Sequence, residues 1–156
     1  MASNNRDRRA HDLAAWEQLV RYHRRTVRAM DGRLRSTFGW SLDDYDVLHQ
    51  VVVHGEPIRM GDLADRLLLA NSSCTRIVGR LVEAELLRRS RGDVDRREVV
   101  VDLTPAGRRL HRRMAAVHTR DIEQLLGARL SPAGRDGLVK ALTELLDEGQ
   151  APRSMT

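Results

Sequence analysis

Residues 88–104 read Arg-Arg-Ser-Arg-Gly-Asp-Val-Asp-Arg-Arg-Glu-Val-Val-Val-Asp-Leu-Thr, and no other part of the chain carries as clear a structural signal. The run predicts a short strand, a turn at Gly92–Asp95 and a second, valine-rich strand. Arginines cluster at the tip of the predicted hairpin, and an amphipathic helix comes just before it. A basic hairpin in that position has the shape of the wing of a DNA-binding lobe.

Two short helices are predicted upstream of the hairpin. The first runs from Asp62 to about Leu68, residues 69–71 form a tight turn, and Asn71 or Ser72 caps the second helix. This spacing is typical of a helix-turn-helix. Together with the hairpin, it predicts a winged helix-turn-helix.

Longer helices precede this unit. Apolar residues recur at steps of three and four from His11 to a break near Phe38-Gly39, which predicts one long amphipathic helix. Ser41 then caps a second helix, because a serine oxygen can accept the first free backbone N–H groups.

Two more helices follow the hairpin. Thr104 and Pro105 start a helix that continues to Gly127, and Ser131-Pro132 starts the last one. The fold class is therefore predicted to be mainly α, of the α+β type, with about six helices and a small β-hairpin wing.

A single domain is predicted over residues 11–148, with a flexible tail at 1–10 and another at 149–156. Residues 41–104 would form the winged lobe, and residues 11–38 and 105–148 would supply further helices. The apolar stripes of these outer helices must be buried, and packing against the same helices of a second copy is the simplest solution. A self-contained monomeric bundle is the alternative.

The chain has 156 residues and a net charge of +5, which comes mostly from arginine. A guanidinium fork suits phosphates and guanine edges, so this composition favours a nucleic-acid partner. A solvated basic surface is the alternative. No apolar run is long enough to span a bilayer, and the N-terminus lacks a signal-peptide core. A soluble, cytoplasmic protein with no membrane partner is expected.

No enzymatic or cofactor site is predicted. The chain has no phosphate-binding glycine loop, no nucleophile elbow and no recognisable cluster of carboxylates. His111 and His118 are seven residues apart, and His49 and His54 are five apart, so neither pair has the four-residue spacing of a helical zinc site. The single cysteine excludes an intramolecular disulfide. We therefore expect no metal.

The second helix of the helix-turn-helix divides into a polar and an apolar half at helical spacing. The polar half carries donors that can read base edges and phosphates, and it predicts DNA contacts by Ser72, Ser73, Thr75, Arg76 and Arg80. An ordinary amphipathic surface helix is the alternative. Cys74 falls on the apolar half, where a thiol is usually inert, although a redox-sensing role stays open.

The predicted wing contacts are Arg91, Asp95, Arg96 and Arg97. Asp95 and Arg97 are two residues apart, so on an extended strand they point the same way and the carboxylate can hold an arginine in place. A positioned guanidinium suits a narrow, electronegative minor groove. A solvated turn with a weak surface ion pair is the alternative.

These residues carry a resemblance to a known family. The Asp-x-Arg of residues 95–97, the Leu103-Thr104 pair and Gly107 match the Asp-x-Arg…Leu-Thr-x-x-Gly wing signature of MarR-family regulators. The resemblance implies a homodimeric winged helix-turn-helix transcriptional regulator that binds palindromic double-stranded DNA operators, in many members as a repressor released by a small ligand. It also implies that Arg97 enters the minor groove, braced by Asp95.

The match covers about residues 12–147 in element order, and it has one notable departure. Glu85 occupies a position where the family often has glycine, which would ease the end of the helix into a left-handed residue. The angle between this helix and the wing is therefore not set by the resemblance.

The resemblance also implies a small-molecule effector, often an aromatic acid or a phenol, in a cleft beside the DNA-binding lobe. Asp46, Arg76 and Arg88 resemble the charged residues that the urate-responsive branch of the family uses. That branch also uses a tryptophan on an extra N-terminal helix, whereas Trp16, the candidate here, falls on the first long helix. The alternative is that the two arginines serve DNA contact alone and that Asp46 simply favours a helix N-terminus.

Two other functions remain open at this stage. A winged-helix module could bind a protein partner without touching DNA, which an acidic or apolar recognition surface would favour. A small-molecule-binding or enzymatic protein would need a reactive cluster, which the sequence does not show.

Overall fold

The structure of the chain is a computed structural model that describes residues 2–55, 57–92 and 98–147. Its elements, in chain order, are α1 (Ala2–Phe38), α2 (Leu42–His54), β1 (Ile58–Arg59), α3 (Met60–Leu67), α4 (Asn71–Glu83), β2 (Leu87–Arg91), β3 (Val99–Leu103), α5 (Pro105–Leu125), a single 3-10 turn (Gly127–Arg129) and α6 (Pro132–Leu146). The predicted fold class is confirmed: the fold is a winged helix-turn-helix, with six α-helices in these described ranges.

The chain forms two compact units that divide between His118 and Thr119. In the first unit, α2, α3 and α4 pack around the sheet, and the start of α5 follows β3. Its apolar core draws one or more side chains from each of these elements and from α1: Leu34, Leu48, Ile58, Leu63, Val78, Leu81, Leu87, Val101 and Met114. In the second unit, Arg135 of α6 donates a hydrogen bond to the carbonyl of Gly127 (3.2 Å), which joins α6 to the 3-10 turn.

Helix α1 is longer than predicted. It begins at Ala2, so the described residues that we expected in a loose N-terminal tail continue the helix. No proline or glycine interrupts the chain before Gly32, and a helix can extend into solvent without an apolar face. The periodic stripe of apolar residues therefore predicted only the amphipathic part of α1 and not its polar N-terminal extension. The predicted end is confirmed at Phe38, where Gly39 takes a positive φ of 77°.

The predicted cap of α2 is confirmed and is tighter than expected. Ser41 and Asp44 form a capping box, in which each side chain accepts a hydrogen bond from the other residue's backbone N–H. One residue on, the N–H of Leu42 donates to the carboxylate of Asp31 on α1 (2.9 Å). The start of α2 is thus held both by its own residues and by the preceding helix.

The helix-turn-helix is confirmed, but the cap of its second helix is not the predicted one. The N-cap of α4 is Ala70, whose carbonyl accepts from the N–H groups of Ser73 and Cys74, and no side chain caps this end. The turn is tighter than expected because Leu68 takes the left-handed conformation (φ 52°) and starts α4 one residue early. Asn71 is therefore the first residue of the helix, and its side chain does not cap it.

The predicted hairpin strands are confirmed, and they belong to a three-stranded antiparallel sheet of order β1-β3-β2. Leu87 pairs with Leu103 and Arg91 with Val99, and beyond the last pair the N–H of Gly92 donates to the carbonyl of Glu98 (3.0 Å). Strand β1, a two-residue partner of β3, was not predicted because so short a strand has no periodicity. The predicted turn beyond Gly92 lies outside the described residues.

Residue Glu85, where the sequence departs from the family pattern, takes the left-handed conformation with φ 57°. The chain leaves α4 here and enters β2, and the carbonyl of Glu85 accepts a hydrogen bond from the Thr104 hydroxyl (2.7 Å). The backbone therefore adopts the conformation that glycine favours, although a glutamate with a Cβ atom occupies the position.

We expect Glu85→Gly to raise the free energy of unfolding by about 0.5–1 kcal/mol, because glycine relieves the left-handed strain but adds freedom to the unfolded chain. Urea denaturation measures the change. The matched control is Glu83→Gly at the end of α4, which should destabilise by a similar amount because that position is helical. Equal destabilisation by both variants would contradict the proposed strain at Glu85.

Candidate nucleic-acid interface

Helix α4 presents the two faces that its sequence predicts. Cys74, Ile77, Val78 and Leu81 are buried against the lobe. On the opposite side, Ser72, Thr75 and Arg76 are exposed, and Ser73 is partly buried. The apolar half thus anchors the helix, and the polar half offers two hydroxyls and a guanidinium to solvent.

Two arginines of α4 that the sequence treats alike have different surroundings. Arg76 is exposed and forms no ion pair with any other residue of the described ranges. Arg80, one turn further along, forms an ion pair with the buried carboxylate of Asp44 on α2. The two guanidinium groups are therefore not equivalent: both side chains are exposed, but that of Arg80 is paired with a carboxylate of the lobe.

The two strands of the wing carry arginines that are also partly engaged. Arg88 on β2 donates to the carboxylate of Asp102 on β3 (2.6 Å), and Arg108 at the start of α5 reaches the same group at 3.4 Å. Arg89 donates to the backbone carbonyl of Thr75 (3.2 Å). This last bond joins β2 to α4, so the helix and the base of the wing form one continuous surface.

The outer end of the wing is described only in part. Arg91 is exposed at the end of β2, and Glu98, before β3, pairs with Arg59 of β1 at 3.0 Å. The predicted contacts Asp95, Arg96 and Arg97 lie outside the described residues. Of the predicted wing residues, the structure therefore places Arg91 alone.

The four residues predicted for an effector cleft lie on four different elements: Trp16 on α1, Asp46 on α2, Arg76 on α4 and Arg88 on β2. Trp16 is 64% exposed on α1 and borders an open depression of about 380 Å³, whose other lining residues all belong to α1: Glu17, Val20, Arg21 and Arg24. Arg88 is paired with Asp102, and Arg76 is exposed on α4.

Asp46, the remaining residue of that set, is partly buried on α2. Burial first, and then the nearby charge of Asp43, raise the pKa of its carboxyl from 3.8 to about 6. An acid whose pKa is higher in the folded state keeps its proton while the unfolded chain has lost it. Stability therefore falls as the pH rises from about 4 to about 6, and the cost persists at neutral pH.

We expect Asp46→Asn to raise the free energy of unfolding at pH 7.5 by about 1–2 kcal/mol, and to leave it almost unchanged at pH 4. The amide has no charge to desolvate, so the variant should lack the loss of stability between those two values. Denaturant titrations at both pH values measure the difference. Asp65→Asn, at an exposed carboxylate of α3, serves as the control and should change little at either pH.

The structure brings together histidines whose sequence spacing had excluded a site. Nδ1 of His49 and Nε2 of His111 lie 3.2 Å apart, and the ring of Tyr45 stacks on both. Burial, His49 and Arg112 lower the pKa of His111, which favours a neutral imidazole. Sequence reasoning missed this cluster because its partners are on α2 and α5. The described residues contain no group of three or more side chains that could hold a metal ion.

Cys74 has the environment expected from its place on the apolar half of α4. Its side chain is fully buried, and burial raises the pKa of the thiol, an effect that the charge of Arg89 only partly opposes. A buried thiol with a raised pKa remains protonated at neutral pH and is a poor nucleophile.

Within the described ranges, no helix combines the length and the apolar character needed to cross a bilayer.

Comparison with known protein families gives one match, over residues 38–98, to a model described as MarR family. This stretch runs from the end of α1 to the residue before β3. A search of curated proteins gave no significant match.

Known structures resemble the chain over most of its length. AbsC, a MarR family transcriptional regulator from Streptomyces coelicolor, is 27% identical, with 85% of this chain and 90% of AbsC covered and a TM-score of 0.79. BpsR from Bordetella bronchiseptica, whose DNA binding is regulated by 6-hydroxynicotinic acid, is 25% identical, with 86% and 99% covered and a TM-score of 0.74. Sco3205 from Streptomyces coelicolor, solved in complex with DNA, is 23% identical, with 92% and 90% covered and a TM-score of 0.81; this match bears on the fold alone.

Proposed function

We propose that the chain, which matches the MarR family model over residues 38–98, is a transcriptional regulator of that family that binds double-stranded DNA with α4 and the β2–β3 wing. The observation that carries the proposal is the exposed polar half of α4, which is anchored by a buried apolar half and joined to β2 by the bond from Arg89 to Thr75. A helix with short polar side chains and a guanidinium suits the major groove.

The roles of individual residues follow from this placement. Ser72, Ser73, Thr75 and Arg76 would contact the major groove, while Arg91 and the wing-tip residues 95–97 would reach the adjacent backbone and minor groove. Arg80, which the sequence predicted as a further contact, is given no direct DNA contact in this proposal, because its guanidinium is paired with Asp44. In this proposal the protein is a non-enzymatic regulator that acts in the cytoplasm.

We propose that the regulator is a homodimer. In the first unit, α1 leaves the apolar side chains of Leu13, Trp16 and Leu19 in solvent, and in the second unit α6 does the same with Val139 and Leu145. In the dimer, these faces would be buried against a second copy by the dimerisation helices, residues 11–38 and 105–148. Together with the winged lobe, these helices would form one functional domain of residues 11–148. Two-fold symmetry would set the recognition helices roughly 34–36 Å apart on a palindromic operator.

The regulator is further proposed to be a repressor that a small aromatic or phenolic compound releases from DNA. Support for this step comes from BpsR, whose DNA binding responds to 6-hydroxynicotinic acid. Trp16, Asp46, Arg76 and Arg88 remain the proposed effector-binding residues, and they lie on α1, α2, α4 and β2. A second subunit would have to complete such a cleft.

The test is to select duplexes from a random-sequence pool with the purified protein and to sequence those that bind. We expect an inverted repeat whose half-sites are about one helical turn apart. Analytical ultracentrifugation should give a dimer, alone and on this duplex. A monomeric protein that enriches no sequence would contradict the proposed function.

Within that assay, Arg97→Ala should weaken binding to the selected duplex by about 1–3 kcal/mol without altering dimerisation, because it removes the proposed minor-groove contact. Fluorescence anisotropy measures the change. The control is Arg129→Ala, which removes an exposed arginine of the second unit and should leave affinity unchanged within about twofold. Unchanged affinity in the Arg97 variant would refute its assignment to the wing contact.

A further inference from the structure

Asp44 is a buried carboxylate that accepts hydrogen bonds from two parts of the lobe. Its Oδ2 atom accepts from the backbone N–H of Ser41 (2.8 Å) and from the Ser41 hydroxyl (2.6 Å), and its Oδ1 atom accepts from the guanidinium of Arg80. The Asp44 side chain is only 3% exposed. Burying a carboxylate costs free energy unless its oxygens accept hydrogen bonds, so these donors offset the cost of burying Asp44.

Arg80 lies where it can join the recognition helix to α2. It is one turn after Arg76 on α4, on the edge of the exposed half that adjoins the buried side chain of Ile77. Its guanidinium turns inward to Asp44 and keeps 43% of its side-chain surface exposed. The ion pair therefore connects the DNA-facing helix to the N-terminus of α2.

The same end of α2 is connected to α1. Asp31 accepts from the N–H of Leu42 (2.9 Å) through one carboxylate oxygen and from Arg35 (2.7 Å) through the other. Arg35 first, and then the Leu42 N–H, hold the pKa of the Asp31 carboxyl below its ordinary value against the opposing effect of burial. A continuous set of polar contacts thus runs from α1, through the cap of α2, to α4.

We propose that Asp44 is a positioning residue for DNA recognition: it fixes α4 through Arg80, so that sequence-specific binding depends on a carboxylate that does not touch DNA. The inference rests on the proposed DNA-binding function. Arg80 is the partner of Asp44 in this role and contributes no phosphate contact. When the pair is broken, α4 loses this polar link to α2 and keeps only the apolar packing, while the exposed cations remain in place.

The experiment compares two duplexes: the inverted repeat that the wild-type protein enriches, and a scrambled duplex of the same length and composition. Asp44→Asn, Arg80→Gln and the double variant are measured on both by fluorescence anisotropy over a range of salt concentrations. Asp43→Asn, at the exposed neighbouring carboxylate, is the control. Circular dichroism fixes a temperature at which every variant tested is folded.

The expected result is selective. Asp44→Asn and Arg80→Gln should each lower affinity for the enriched duplex by at least about tenfold and change affinity for the scrambled duplex by less than about twofold. The salt dependence of Arg80→Gln should match that of the wild type, because no phosphate contact is lost. The double variant should lose no more than either single variant, since both changes remove the same connection.

Other outcomes overturn the proposal. A purely structural role would reduce the folded fraction, and with it both affinities, by the same factor, leaving their ratio unchanged. A shallower salt dependence in Arg80→Gln would make Arg80 a phosphate ligand instead. If Asp44→Asn does not fold, the ratio and salt dependence of Arg80→Gln decide alone. Failure of the wild type to enrich any duplex would instead reject the proposed function itself.

Discussion

Gly107→Ala is expected to unfold most of the winged lobe, at a cost of about 3 kcal/mol or more. A Cβ atom at this position would overlap the carbonyl oxygen of Leu86 and lie 2.8 Å from Cδ2 of Leu103. That Leu86 carbonyl is already fixed, because it accepts from the N–H of Thr104 at 3.1 Å. The backbone cannot move aside without separating α5 from the start of β2, so the clash cannot be relieved locally.

Thermal denaturation followed by circular dichroism measures this loss. The control is Gly32→Ala, where an added Cβ meets nothing within 4 Å and the residue lies inside α1. That change should stabilise the protein by about 0.5–1 kcal/mol, because alanine favours the helix. If Gly107→Ala melted at the wild-type temperature, the close approach of α5 to Leu86 would not exist in solution.

Affinity for the enriched duplex should fall about 10³-fold between 50 and 200 mM salt, because a dimer with about six phosphate contacts releases that many counterions. The estimate takes three phosphate contacts per subunit, from Arg76, Arg91 and Arg96, and leaves Arg97 to the proposed minor-groove contact. The sequence alone would also include Arg80, Arg88 and Arg89, but the structure engages these in contacts within the lobe. Twice as many free arginines would give a far steeper dependence.

Fluorescence anisotropy at several salt concentrations gives the slope of log affinity against log salt. Arg91→Ala should make that slope shallower by about two, since each subunit of the dimer loses one phosphate contact. Lys140→Ala, on α6, is the control and should leave the slope unchanged. An affinity independent of salt would rule out a phosphate-dominated contact, and a slope near −11 would show that Arg80, Arg88 and Arg89 leave their partners on DNA.

The elements that sequence reasoning located are those whose signals are local. Ser41, Thr104 and Ser131 accept hydrogen bonds at the starts of α2, α5 and α6, as their positions predicted. The division of α4 into exposed and buried halves followed from its period. These features depend on residues within a few positions of one another, so a single chain contains the information needed to predict them.

The features that sequence reasoning missed join residues that are distant in sequence. Asp44 and Arg80 are separated by 36 positions, and His49 and His111 by 62. No periodicity or motif marks either pair. As a result, the ion pair of Arg80 was not foreseen, and the histidines were considered only as neighbours along one helix.

The local pattern of apolar residues, caps and turn residues specified a winged helix-turn-helix, the half of α4 that faces solvent and the family signature ending at Gly107. The tertiary structure decided which arginines form ion pairs. The packing of α2 against α4 pairs Arg80 with Asp44, and the packing of β2 against β3 pairs Arg88 with Asp102, while Arg76 stays exposed. The difference has a physical cause: hydrogen bonds within a turn depend on neighbouring residues, whereas an ion pair between elements forms only when packing brings its partners into contact.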